Sequence, residues 1–212
     1  MLPCHDPATW GLSLDAAVHA LQRGQIVVLP TDTVYGIGTD AFSPEAVAAL
    51  LQAKGRGRDT PVPVLVGSPR TLPGIATELS DTASALVDAF WPGALTVVCR
   101  AQPSLRWDLG ETAGTVAVRM PLHPVALELL VETGPMAVSS ANRSGAPPAS
   151  TVDEAVEQLG DRVQVYLDAG TCGDPVPSTI VDVTVDPPRV LRVGAVAVEA
   201  LSGVADGLRV EP

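Results

Sequence analysis

Residues 26–29, Ile-Val-Val-Leu, place four β-prone apolar side chains in a row between Gly24 and Pro30. Successive side chains of a strand point to opposite faces, so such a run needs cover on both sides and belongs in a sheet interior. Leu14, Ala17, Val18 and Leu21 precede it at helical spacing, with Ser13 placed to cap that helix and Gly24 to stop it. A strand buried on both faces and flanked by an amphipathic helix already points to an α/β layering.

The rest of the chain repeats the alternation. Ser43-Pro44-Glu45 starts a second helix that buries Val47, Leu50 and Leu51 and ends near Lys54, where Gly55 and Gly57 break the pattern. Residues 62–66 read as a strand, and Pro61 and Pro63 argue for a sheet edge or a bulged start. Helical stripes follow at 80–90 and 123–131, and Thr151 with Glu154 forms a capping box ahead of a further helix. Strands are expected at 94–99, 115–120, 137–139, 163–167, 179–183 and 190–193, with a loop over 100–114. The fold class expected is α/β, a mixed parallel and antiparallel sheet with flanking helices. Residues 12–200 form one domain in this reading, with 1–11 a loosely ordered lead-in and 201–212 a C-terminal tail.

Several function classes are disfavoured. The longest apolar runs are far below the ~20 residues a bilayer span needs, and the N-terminus lacks a signal-peptide pattern, so a cytoplasmic protein is expected. Cys4, Cys99 and Cys172 make no C-x-x-C pair, and His5, His19 and His123 share no ligand spacing, so no protein-borne metal site is expected. A formal charge of -11 opposes broad nucleic-acid binding but allows a small anion in one local basic cleft.

Lys54 is the only lysine, followed at two-residue steps by Arg56 and Arg58 with glycines between. Three cations there can converge on an oligophosphate, or form a solvated surface turn. Thr31, Asp32, Thr33 and Tyr35 crowd the end of the first strand, where α/β proteins tend to bind ligands. They suit a substrate amine or hydroxyl, with Asp32 able to assist a bound Mg²⁺, or merely cap the turn. Ser139, Ser140, Asn142, Arg143 and Ser144 make a second polar strand end, suited to phosphate oxygens or to capping a loop. Ser178, Arg192 and Arg119 lie on or beside strands; an arginine there faces a ligand or pairs with a carboxylate. Neither Gly-x-Gly-x-x-Gly nor a Gly-x-x-x-x-Gly-Lys-Ser/Thr loop occurs, and no histidine accompanies the serines.

Taken in order, Val28-Leu29-Pro30-Thr31-Asp32-Thr33-Val34-Tyr35-Gly36-Ile37-Gly38, Lys54-Gly55-Arg56 with Arg58, residues 61–66, Trp91-Pro92-Gly93, Thr115-Val116-Ala117-Val118-Arg119, Ser140-Ala141-Asn142-Arg143-Ser144-Gly145, Ser178-Thr179-Ile180-Val181-Asp182 and Leu191-Arg192-Val193-Gly194 resemble the YrdC/Sua5 family of threonylcarbamoyl-AMP synthases. The resemblance implies a twisted mixed sheet with a concave ligand cavity. It also implies a nucleotidyltransferase that joins L-threonine, bicarbonate and ATP into L-threonylcarbamoyladenylate and pyrophosphate. A tRNA threonylcarbamoyl-transferase complex then uses the product to make t6A at position 37. By the same resemblance Lys54, Arg56, Arg58, Ser140, Asn142, Ser178 and Arg192 are nucleotide contacts, with Lys54 and Arg56 catalytic. Thr31, Thr33, Thr115 and Arg119 line the threonine subsite, and Mg²⁺ accompanies ATP. The family commonly has proline where this chain has Gly57, and the chain looks like the short single-domain form. An RNA-binding or ribosome-associated module using the same basic cavity is the alternative.

Overall fold

The computed structural model describes residues 1–172 and 176–210, so residues 211 and 212 of the expected tail lie outside it. In chain order the elements are β1 (Leu2–Pro3), α1 (Gly11–Gln22), β2 (Val27–Leu29), β3 (Gly36–Asp40), α2 (Pro44–Lys54), β4 (Val64–Leu65), α3 (Leu72–Ile75), β5 (Ala76–Thr77), α4 (Asp81–Phe90), β6 (Leu95–Ala101), β7 (Thr115–Arg119), α5 (Pro124–Thr133), β8 (Met136–Ser140), α6 (Val152–Leu159), β9 (Val165–Asp168), β10 (Thr179–Asp182), β11 (Arg189–Arg192), α7 (Val198–Ser202) and β12 (Arg209–Val210). One mixed sheet runs β1-β9-β2-β3-β8-β4-β7-β6-β10-β11-β12, with β5 paired to β6. This is the α/β class that the interspersed pattern predicts.

Three helix ends read from sequence form as chemistry dictates. The Ser43 hydroxyl accepts from the Ala46 amide at 3.3 Å, and α2 stops at Gly55 in the left-handed region (φ 64°). Thr151 and Glu154 make their reciprocal capping box on α6.

Elsewhere the structure corrects the sequence. Ser13 lies inside α1 rather than capping it, and its hydroxyl donates to the Pro3 carbonyl at 2.8 Å. The lead-in is therefore tied down: β1 pairs with β9, Cys4 and Trp10 are buried, and the Trp10 indole donates to Glu128. At the other end Leu201 and Ala205 are core residues, and β12 pairs with β11. β4 is neither an edge nor bulged; it lies between β8 and β7. Its prolines are tolerated because Pro63 contributes only its carbonyl, which accepts from Val138, while Val62 donates sideways to Leu109. β3 falls in the glycine-rich stretch after the first strand. A Cβ on Gly36 or Gly38 would come within 2.8 or 2.9 Å of the Val138 side chain on β8, so the close β3–β8 contact requires glycine.

The sheet has unequal cover, and this positions the site. One face packs along its whole width against α2, α4 and α6. The opposite face packs against α1 and α5, but only through Val27, Leu29, Leu65, Met136, Val138, Val165 and Leu167, from β2, β4, β8 and β9. By register Arg119 pairs with Leu65 on that same face, Val98 opposes Ala117, and Thr96 opposes Ile180. Val98, Ala117 and Ile180 are only partly covered, so β6, β7 and β10 form an open floor beside α5.

Candidate active site

The band of polar groups bordering that floor begins at the end of α2. Lys54 is buried, and its ammonium donates to the Ser140 carbonyl, to the Asn142 carbonyl at 2.7 Å and to Asn142 Oδ1 at 3.4 Å. The three donors of a lysine are thus all spent on the end of β8 and the loop after it. The helix-end dipole favours the charged form, but burial and then the neighbouring Arg56 outweigh it and pull the ammonium down to about 8. Half-buried Arg56 gives one N–H to the Ser139 hydroxyl at 3.0 Å. Burial lowers its guanidinium as well, with Asp59 opposing the shift.

Tyr35 stitches this loop to the next group. Its amide donates to the Ala149 carbonyl and its carbonyl accepts from the Ala141 amide at 2.7 Å. The adjacent turn buries Thr31 and Thr33, whose hydroxyls are 3.1 Å apart. Thr31 donates to the Val34 carbonyl at 2.6 Å, closing the turn on itself. Arg119 reaches the same turn from the end of β7: Nη1 donates to Thr33 Oγ1 at 3.0 Å, Nη2 to Asp32 Oδ1 at 2.7 Å and Nε to the Gly93 carbonyl at 2.9 Å. Such a group tolerates burial because each nitrogen has a partner and a carboxylate neutralises it. Asp32 is also fixed by the Leu122 amide at 2.9 Å.

Arg192 completes the band from β11. It donates to the Ser178 carbonyl at 2.7 and 3.1 Å and to the Ser178 hydroxyl at 3.1 Å, while that hydroxyl shares a 2.8 Å bond with Thr96 Oγ1. Burial and then Arg119 lower its guanidinium, so two arginines lie within electrostatic reach of one another. Like charges held that close favour an anion between or beside them.

Lys54, Arg56, Ser140, Asn142, Thr31, Thr33, Arg119, Ser178 and Arg192 therefore lie along one connected run of hydrogen bonds and close charges. Two expected members stand apart. Arg58 is exposed and makes a two-point pair with Asp108, at 2.8 and 2.9 Å. Thr115 opens β7, four residues and ~13 Å from Arg119, and its hydroxyl donates to the Thr112 carbonyl at 2.7 Å. Sequence reasoning missed Thr96, Asp108 and His123. His123 sits ahead of α5, its Nδ1 buried without a partner among the described residues, and burial lowers its imidazole against the opposing pull of Asp32. The His-Pro pair at a helix start is the only local signal for it.

A model of the Sua5/YciO/YrdC family, described as telomere recombination, matches residues 19–194. A Mycobacterium tuberculosis protein provisionally named threonylcarbamoyl-AMP synthase is 58% identical over 95% of this chain and 93% of its own length. The threonylcarbamoyl-AMP synthase of Bacillus subtilis is 36% identical over 92% of this chain and 57% of its own. Among solved structures, Pyrococcus abyssi Sua5 complexed with L-threonine superposes with a TM-score of 0.90 at 34% identity, covering 94% of this chain. The chain spans 59% of that longer protein.

Proposed function

Because this chain belongs to the YrdC/Sua5 family, as its match over residues 19–194 and its 58% identical relative show, we propose that it is a threonylcarbamoyl-AMP synthase. It combines L-threonine, bicarbonate or CO2 and ATP, releases pyrophosphate, and supplies L-threonylcarbamoyladenylate for t6A in tRNA through a separate transferase complex. The observation that carries the reading is the connected band, which sets the polar turn of Thr31, Asp32 and Thr33 beside several cations at the edge of an open floor. The catalytic unit proposed is residues 12–200, with the terminal strands β1 and β12 added to the same sheet.

The chemistry needs no protein nucleophile. The unprotonated amine of threonine forms a C–N bond to the CO2 carbon and loses a proton, giving a carbamate. A carbamate oxygen then attacks the α-phosphorus of ATP, the bond to the bridging oxygen of the β-phosphate breaks, and pyrophosphate leaves. Both reactants are anionic, so the protein's task is to cancel charge and fix geometry. Arg119, oriented by Asp32 and Gly93, offers a fork for the threonine carboxylate, with Thr33 beside it. Arg56 and Arg192 face the phosphates, with the hydroxyls of Ser140 and Ser178 near them. Lys54 supplies charge while bracing the 140–142 loop against Asn142, and Arg58 joins by leaving Asp108.

Mg²⁺ is proposed to arrive on the triphosphate. Among the described residues no cluster of three metal-ligating side chains exists, and Asp32 is engaged by Arg119 and Leu122. The residues present thus form no protein cage for the ion.

Calorimetric titration with L-threonine tests the substrate assignment. The wild type binds, and Arg119→Lys, which keeps the charge but loses the fork, binds at least tenfold more weakly. Equal affinities would remove Arg119 from the threonine subsite.

A further inference from the structure

The two arginines of the basic run are each matched with carboxylates of their own neighbourhood. Asp59 is the charge that opposes the lowering of Arg56, while Asp108 and then Glu111 stabilise the charge of Arg58. The Arg58–Asp108 contact is the most specific of these: two parallel bonds of 2.9 and 2.8 Å, the geometry by which a guanidinium also grips a phosphate.

The backbone around the pair is pinned although the side chains are exposed. The Glu111 amide donates to the Arg58 carbonyl at 2.8 Å, and the Val62 amide to the Leu109 carbonyl at 2.9 Å. A Cβ on Gly110 would come within 2.8 Å of that Arg58 carbonyl, so the two loops meet at backbone contact. Leu109 is buried, and Trp107 stacks on Phe42, just ahead of α2, at a centroid distance of 5.7 Å. Loop 102–114 is thereby fastened beside the basic run, and the freedom left to Arg58 is in its side chain. Arg58 is two residues from Arg56, at most ~7 Å along the chain, within reach of the same polyanion.

We propose that Asp108 is an affinity-setting residue for the polyphosphate. Its carboxylate holds the Arg58 guanidinium as a phosphate would, and the triphosphate of ATP must displace it before Arg58 can bind. This rests on the reading of Arg58 as a nucleotide ligand. The held fraction of Arg58 is unavailable to ATP, and apparent affinity falls by the available fraction. Exposed pairs are weak and screened by salt, so the effect is a tuning of about two- to fivefold.

ATP titrations on the full chain test this. Asn at position 108 keeps the oxygen that accepts from the Gly110 amide at 3.2 Å, so Asp108→Asn preserves the turn while discharging the pair. The expected result is ATP binding about two- to fivefold tighter in Asp108→Asn, wild-type affinity in Asp108→Glu, and no gain from Asp108→Asn in an Arg58→Gln background. Unchanged or weaker binding by Asp108→Asn, or a gain that survives Arg58→Gln, overturns the proposal while leaving the nucleotide site standing. Absence of ATP binding by the wild type overturns both.

Discussion

Lys54 is the residue whose meaning the structure changes most. As the only lysine of the chain it reads from sequence as a phosphate ligand, yet its ammonium is buried and fully engaged with Ser140 and Asn142. Its titration near 8 has two opposite consequences. The folded value lies below the unfolded one, 10.5, so the unfolded state binds more protons between about 8 and 10.5. Its contribution to stability therefore rises with pH across that window. In the proposed reaction function runs the other way, because the positive charge that Lys54 would lend to the triphosphate subsite is lost as pH rises through about 8. The expected result is a fall in kcat/KM for ATP above pH 8 that is absent in Lys54→Arg, whose cation does not titrate there. A profile unchanged by that substitution would assign the fall to another group. What sequence could not show here is direction: spacing placed Lys54, Arg56 and Arg58 together, whereas the carboxylate of Asp108, fifty residues on, decides where Arg58 points.

At the scale of elements, helices were legible because their caps are local chemistry: Ser43, Gly55 and the Thr151–Glu154 box lie within a few residues of what they satisfy. Strands were less so where packing overrides propensity. β3 carries Gly36 and Gly38, which score as turn residues, and only the approach of Val138 across the sheet explains them. Gly36→Ala is expected to cost about 1–3 kcal/mol as an overpacked contact, read as a lowered midpoint in denaturant. Val138→Ala, destabilising alone, should recover part of that loss when combined with it; additive losses would mean that the contact is not what restricts position 36. The same logic explains β4, whose prolines suggest an edge although it lies between β8 and β7, Pro63 offering only its carbonyl to Val138.

For the whole molecule, the uneven cover of the sheet is the organising fact. α1 and α5 protect one half of a face, and the bare half, bordered by the 31–35 turn and β11, carries Arg119 and Arg192. No local pattern announces that arrangement, because it depends on the strand order β8-β4-β7-β6-β10, which follows from pairings distant in sequence. The net charge of -11 opposes a broad polyanion footprint and suits a small, deeply charged ligand held by a few inward cations. No described helix is long and apolar enough to cross a membrane. The central claim is that this band joins threonine, bicarbonate and ATP, and pyrophosphate release measured with each substrate omitted in turn tests it most directly. Release that requires threonine and bicarbonate together is the predicted result; release from ATP at the same rate without either would contradict it.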